Sequence, residues 1–460
     1  MLTVLFAGIV VLAYAWLIRS RTAAALAGFF VLFSLATRTL SLSYIDLAGP
    51  VYAVELETFI GGGSSMPLFA CGVLAFLLPL GYAFRPSRLS AALRPTASGP
   101  MQARRGTAHF VFAMVLAFVV ALYVDMLARG PIPLFAGLDR IEYNSGLAGP
   151  LHAVAFDFGF LFAAALGTFF VFPRLRGRDF DFRFLTLYLS FLVYFALTGN
   201  RFSAFYAFSS FFVLPLASLP AMKAAGRLRA PPASRAAWKS LLCSRSALLF
   251  GIASGGLAIL ALLVNSVVNV RAYDDPAEQF TQRILIQPSQ LWWTTWESLK
   301  DRSTDAFDSV WEGALINPID PTRNTSIQVL MVKNLGDERA TELIGQGTQY
   351  NGGYPEILFE LTGPWVALPV ALAFSCITAW LLRLCVVSIC RGRFATAFMA
   401  LYVFFGFSLL YMGGMLNFLF AWTFLVKVLA LFLAWFLERN VGLPRRAARR
   451  RRISSPQVAA

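Results

Sequence analysis

The sequence predicts an all-α polytopic membrane protein. Three observations carry that prediction. Hydrophobic residues make up 58% of the 460 and charged residues only 14%, with Phe alone at 44, so too little polar surface exists to cover a soluble core. The apolar residues fall in runs of about twenty without alternation, the length of a helix across a hydrocarbon layer. Basic residues cluster in alternate connections between those runs, as topology-setting charges do. In lipid the backbone must satisfy its own hydrogen bonds, which leaves helices or closed barrels, and the unalternating runs select helices.

Taken in order, the runs predict about eleven spans. They fall at roughly 2–18, 22–41, 64–84, 108–127, 151–173, 184–199, 202–221, 246–269, 358–382, 394–413 and 417–437. The first run is expected to be a membrane helix rather than a cleavable signal, because no basic residue precedes it. The basic connections hold Arg19 and Arg21, then Arg85 to Arg105, then Arg174 to Arg183, then Lys223 to Arg245, then Arg391 and Arg393. The tail adds Arg439, Arg445, Arg446 and the run Arg449 to Arg452. All of these share one side if the chain starts outside and crosses eleven times. The expected topology therefore has the N-terminus outside and the C-terminus cytoplasmic, and it accounts for the net charge of +15.

The domain organisation follows. Residues 1–270 are expected to form a membrane domain of eight helices, 271–357 a large outer loop, 358–438 the last three helices, and 439–460 a basic cytoplasmic tail that is disordered at its Ser- and Ala-rich end. The loop holds about half of the 24 acidic residues and is too long for a plain connector. Within it Trp292, Trp296, Leu299, Phe307 and Trp311 recur at roughly helical spacing from Ser289 onward. That pattern fits a helix lying at the headgroup layer or one packed on the membrane domain. A second short helix is expected from Asp337 to Ile344, stopped by Gly345. The amide- and glycine-rich stretch from Gln346 to Glu356 suits sugar hydroxyls or an ordinary loop.

Several chemistries are set aside. The two histidines are His109 and His152, so His-cluster metal sites and His relays are not expected. No HExxH, GxSxG, P-loop or dinucleotide fingerprint occurs, and no cofactor is expected. The five cysteines lie in or beside apolar runs without CxxC spacing, which disfavours disulfides and zinc. The basic residues have no aromatic interleaving, so they fit membrane lipid headgroups and not nucleic acid. No cytoplasmic loop is large enough for an ATPase.

Arg201 is the most informative single residue. It sits in a tight turn on the expected outer side, where topology predicts no arginine. A guanidinium held there can fork onto a phosphate or pyrophosphate. Arg140, Arg271 and Arg323 are further outward-facing basic candidates, and Asp157 is an intramembrane carboxylate that could act as a general base. Lys427 lies within the last span.

The layout and three segments are similar to the Wzy-type polymerases of O-antigen and related surface polysaccharides. Gly130-Pro-Ile-Pro-Leu-Phe followed by Arg140 resembles a "G-x-I-P-L…R" stretch of that family, and Thr198-Gly-Asn-Arg201 its short "G-x-R" turn. Asn351-Gly-Gly-Tyr-Pro-Glu356, leading into Glu360-Leu-Thr-Gly-Pro-Trp, resembles the re-entry from its late loop. The resemblance implies a metal-independent glycosyltransferase of the bacterial inner membrane acting on polyprenyl-pyrophosphate-linked oligosaccharide, with a chain-length regulator as a candidate partner. It further implies that Arg201, assisted by Arg140, Arg271 or Arg323, binds pyrophosphate, and that Asp157 or Glu356 takes the hydroxyl proton. Asn351 and Tyr354 would then contact sugar. The alternatives are another lipid-linked glycan transferase, such as an O-antigen ligase, and a flippase or transporter. Ligases typically use a histidine in the large loop, and residues 271–357 contain none.

Overall fold

The computed structural model describes residues 1–94, 105–136, 138, 143–200, 202–228, 278, 281–300, 326–345 and 352–440. Seven of its helices are long and apolar enough to cross a membrane: Leu2–Ser20, Phe29–Ala48, Met66–Ala83, Gly106–Ala136, Ser203–Ala224, Glu356–Arg391 and Phe394–Gly413. An eighth arises if Pro150–Asp157 and Gly159–Leu175, bent by 65° at Phe158, form one span. The protein is therefore a multi-pass helical membrane protein. Of the remaining expected spans, Phe182–Leu197 is a shorter apolar helix of 16 residues and Trp422–Asn440 closes the described bundle. The span expected at 246–269 lies outside the described residues.

Lipid is the solvent of the outer surface. On the last helix Leu425, Leu429, Phe432, Leu433 and Phe436 are each more than half exposed, an arrangement that water would penalise. Inside the bundle, phenylalanines pack ring on ring. Phe160 stacks on Phe405 at 4.0 Å and Tyr188 on Phe212 at 4.1 Å. At Gly167 the neighbouring helix comes so close that an added Cβ would strike the Phe212 carbonyl, the close backbone approach that small residues permit between membrane helices.

Helix breaks coincide with residues that weaken a helix locally. Gly28 separates Thr22–Ala27 from Phe29–Ala48. Pro215 sits in the 3-10 turn Leu214–Ala217. Gly363, at φ 68 and followed by Pro364, interrupts the Glu356–Arg391 helix, because proline disfavours helical geometry at the residue before it.

Two expectations are corrected. The second span was expected to end near residue 41, but its helix continues to Ala48. Its polar last turns find partners: Ser41 donates to Leu285 O at 3.0 Å, and Asp46 accepts from Ser65 N and Met66 N at 3.0 and 3.1 Å. The Asp46 carboxylate thereby caps the Met66–Ala83 helix, where an anion is favoured. The all-α expectation is also incomplete, since Val51–Ala53 pairs antiparallel with Thr58–Ile60 in a small hairpin.

The late-loop segments 281–300, 326–345 and 352–356 pack on one end of the bundle, the loop face. The Gln290–Lys300 helix is the first part of the expected tryptophan helix, whose Phe307 and Trp311 lie outside the described residues, and it docks on the membrane domain. Trp292 is fully buried, 5.5 Å from the Phe69 ring and 5.2 Å from Phe359. Its indole donates to Ser65 O at 3.4 Å. The short helix expected at 337–344 is present as Asp337–Gly345, preceded by Ser326–Leu335.

Candidate functional site

Two polar constellations occupy the loop face. The first is a seam between loop and bundle. Arg38, on the Phe29–Ala48 helix, forms an ion pair with Glu356, and the two side chains are 2% and 0% exposed. Arg38 Nε donates to Pro288 O at 3.0 Å, and its guanidinium also donates to the Tyr354 carbonyl. Ser289 Oγ returns a bond to Arg38 O at 2.8 Å. A single arginine thus ties three separate stretches of chain. A buried charge is tolerated only when paired and hydrogen-bonded in this way.

The seam extends on both sides of that pair. Gly353, at φ 133, lies against the Gly414 backbone, where any Cβ would collide, and Gly352 N donates to Met412 O at 3.3 Å. Glu360, 2% exposed, accepts from Lys333 at 2.7 Å and from Ser298 at 3.0 Å. Glu55, in the hairpin turn, accepts from the Gln290 amide. Burial pushes the Glu55 carboxyl above the usual carboxylate range, while the Gln290 bond and the Arg283 charge pull it back.

The second constellation lies where the helices Arg105–Arg129, Pro150–Asp157 and Phe182–Leu197 meet. His152, 3% exposed, places Nδ1 2.8 Å from the Tyr194 hydroxyl. Its Nε2 is buried without a hydrogen-bond partner among the described residues. Tyr143 sets its ring edge-on to the imidazole at 5.1 Å. Tyr194 lies 5.7 Å from Tyr123. Asp125 and Arg129 pair at 2.8 Å beneath Gly149, where a Cβ would collide with both side chains. From Tyr194 the chain runs directly into the turn Thr198-Gly-Asn. There the Thr198 hydroxyl donates to Tyr194 O at 3.0 Å, Gly199 adopts φ 70, and the buried Asn200 amide donates to Thr198 Oγ1 at 3.0 Å.

The residues expected from sequence fare differently. Arg140, Arg201, Arg271, Arg323 and Asn351 lie outside the described residues. Asp157 is exposed at the bend, at the end of a helix that packs on Arg105–Arg129 and Gly159–Leu175. Glu356, expected as a base, is corrected to the buried partner of Arg38. Tyr354, expected against sugar, is fully buried, donates its hydroxyl to Gly72 O at 3.0 Å and packs on Tyr411 at 4.6 Å. It is a packing residue of the seam.

Sequence reasoning missed Arg38 and His152. Arg38 carried a signal, since a lone arginine inside an apolar run calls for a partner. His152 carried none beyond its rarity. Among the described residues no group of three or more His, Cys, Asp or Glu side chains could hold a metal ion.

A model of a family of unknown function (DUF6418) matches residues 320–428, the stretch that contains Glu356, Glu360 and the helix Phe394–Gly413. No curated protein and no solved structure matches the chain.

Proposed function

We propose that this protein is an inner-membrane glycosyltransferase that polymerises polyprenyl-pyrophosphate-linked oligosaccharide repeat units into a surface polysaccharide. In this reading the chain crosses the membrane eleven times, starts outside, and presents the loop face to the periplasm. The observation that carries it is the meeting of Tyr143, three residues after Arg140, with His152 and Tyr194, whose helix leads into the turn before Arg201. The described flanks of the two arginines most suited to pyrophosphate thus converge on one buried histidine.

The chemistry asks little of the protein. A sugar hydroxyl of one unit attacks the anomeric carbon of another, a C–O bond forms, and the bond to pyrophosphate breaks with its electron pair leaving on phosphate. Arg201 and Arg140 stabilise the charge that develops there, without a metal. The hydroxyl proton goes to His152 Nε2, with Tyr194 fixing the ring orientation. His152 replaces Asp157 and Glu356 as the base, because Asp157 is exposed at a bend and Glu356 is committed to Arg38. Arg271, Arg323 and Asn351 remain proposed contacts to the substrate, and a chain-length regulator a proposed partner. The docked loop orients the two units, which is the larger contribution when the leaving group is already good.

The test is a gel of surface polysaccharide from a deletion strain carrying wild type or Arg201→Ala. A ladder that collapses to a single repeat unit, and that normally expressed Arg201→Ala does not restore, supports the reading. Loss of every glycan band indicates a flippase or a ligase, and an unchanged ladder contradicts the proposal.

A further inference from the structure

Two ionisable side chains of opposite sign stand within the spans, each without an ionic partner. Lys427, in the first turns of the Trp422–Asn440 helix, forms no ion pair or hydrogen bond among the described residues. Its ammonium lies 4.5 Å from the Tyr402 ring centroid. Tyr402 is near the middle of the 20-residue helix Phe394–Gly413, about 12 Å from the nearer end at 1.5 Å per residue. The ring thus holds the charge within the hydrocarbon, not at the headgroups to which a free lysine stem would carry it.

Asp157 ends the Pro150–Asp157 helix at the 65° bend and is exposed, between Phe156 and Phe158 at 46% and 40% exposure. It too forms no ion pair or hydrogen bond among the described residues. His152, on the same helix, is within its electrostatic reach but is turned inward onto Tyr194. Phe160, just past the bend, stacks on Tyr402 at 5.7 Å and on Phe405 at 4.0 Å. The three residues from Asp157 to Phe160 span at most about 10 Å. Asp157 and Lys427 therefore border one aromatic floor from two different helices. Tyr402 and Phe405 are half-buried, which leaves that floor partly open.

Each charge alone is costly in lipid, and intramembrane charges characteristically pair with one another. The chain offers Lys427 no other free acid. None falls between residues 182 and 273 or between 361 and 437, and Asp46, Asp125, Glu356 and Glu360 already have partners. A surface with one positive and one negative group on a common floor is its own complement. Under a two-fold rotation about the bilayer normal, Lys427 of one copy meets Asp157 of the other, and the reverse pair forms at the same time. That rotation preserves depth, and both groups stand near the level of Phe160 and Tyr402. A second copy of this chain thus supplies both missing partners at once.

We infer that this protein forms a two-fold dimer in the membrane, closed by two reciprocal ion pairs between Lys427 and Asp157 over the Tyr402 and Phe405 rings. The inference is independent of the polymerase reading, since it needs no substrate and no turnover. Its test co-expresses two differently tagged full-length copies, Asp157→Lys and Lys427→Asp, and weighs the purified protein by native mass spectrometry from detergent and from lipid nanodiscs. Wild type is expected at twice the chain mass of 50.6 kDa. Either variant alone sets like charges against each other and is expected at the single-chain mass. Together they satisfy both pairs and are expected to co-purify as a mixed dimer. A contact within one molecule cannot give that result, because each variant carries a single sign at both positions. Lys427→Met in an otherwise unchanged chain is expected to weaken self-association about tenfold, and it decides the matter should the reversed copies fail to fold. Wild type at the single-chain mass in both detergent and nanodiscs overturns the dimer. So do folded reversed copies that associate with themselves as wild type does or that fail to find each other, and so does a Lys427→Met chain that dimerises unchanged.

Discussion

The Arg38 guanidinium and the Glu356 carboxylate are paired in a space closed to solvent, one on a helix near the start of the chain and the other at the first turn of the helix that follows the large loop. Around the pair the backbone carbonyls of Pro288 and Tyr354 accept from the arginine's Nε and Nη1. The late loop is therefore anchored to the bundle by charge as well as by the Trp292 side chain.

Breaking that anchor by removing one partner leaves the other charge buried and unpaired. Arg38→Ala or Glu356→Ala is expected to cost about 3–5 kcal/mol. Replacing both with apolar residues of similar volume, Arg38→Met with Glu356→Leu, is expected to cost much less. Thermal unfolding of the purified variants in detergent checks this. A double variant as unstable as either single one contradicts it.

Gly353 marks the same seam from the backbone side. Gly353→Ala must hold an alanine at φ 133 and push a Cβ into Gly414. The φ strain alone is worth about 1–3 kcal/mol, and the collision adds to it. Limited proteolysis is expected to cut the loop of the variant faster than that of wild type. Equal cleavage rates would show that the contact with Gly414 does not hold the loop down.

The large features of the fold were legible because bulk hydrophobicity decides them. Runs such as 66–83 and 394–413 can only be helices in lipid. The break at Gly363 falls inside the span expected at 358–382 and was not anticipated, although Gly363-Pro364 weakens a helix locally. Arg38 was not legible as a seam residue, because its partner lies in a loop far along the chain and the pairing is tertiary. The continuation of that helix to Ala48 was hidden for the same reason: Ser41 and Asp46 look like a helix end until the segments that satisfy them are in view. The hairpin at 51–60 has strands of three residues, too short for alternation to register. At the candidate site, the Thr198-Gly-Asn turn stood out in sequence, whereas His152 looked like an isolated ring in an apolar run.

The docking of the hairpin is expected to depend on pH. Burial raises the Glu55 carboxyl above its ordinary value of 4.5 in the folded protein. The folded state thus holds this proton more tightly than the unfolded state does. The stability linked to it is complete below about pH 4.5 and is lost as the pH rises through the folded value. Hydrogen exchange across residues 51–60 should therefore speed up beyond its intrinsic rate as the pH is raised from 4.5 toward neutral. Glu55→Gln should flatten the response. Protection that stays level or grows over that range in wild type contradicts the assignment.

His152 is expected to matter for turnover more than for binding. His152→Gln retains a polar side chain of similar length and is expected to lower the rate of chain extension by about 10²–10⁴, as removal of a general base does. The loss should fall on kcat with KM little changed. Tyr194→Phe should have a smaller effect in the same direction. A His152→Gln variant that extends chains at the wild-type rate removes histidine from the mechanism while leaving the pyrophosphate role of Arg201 open to its own test.

The most direct test of the central claim uses purified protein in liposomes, supplied with a polyprenyl-pyrophosphate-linked oligosaccharide as the sole substrate, without divalent metal or nucleotide. A polymerase yields lipid-linked oligomers of increasing length and releases polyprenyl pyrophosphate in step with each linkage formed, both abolished by Arg201→Ala. Substrate that moves across the bilayer unextended, or that stays as single units in the presence of correctly folded protein, would contradict it.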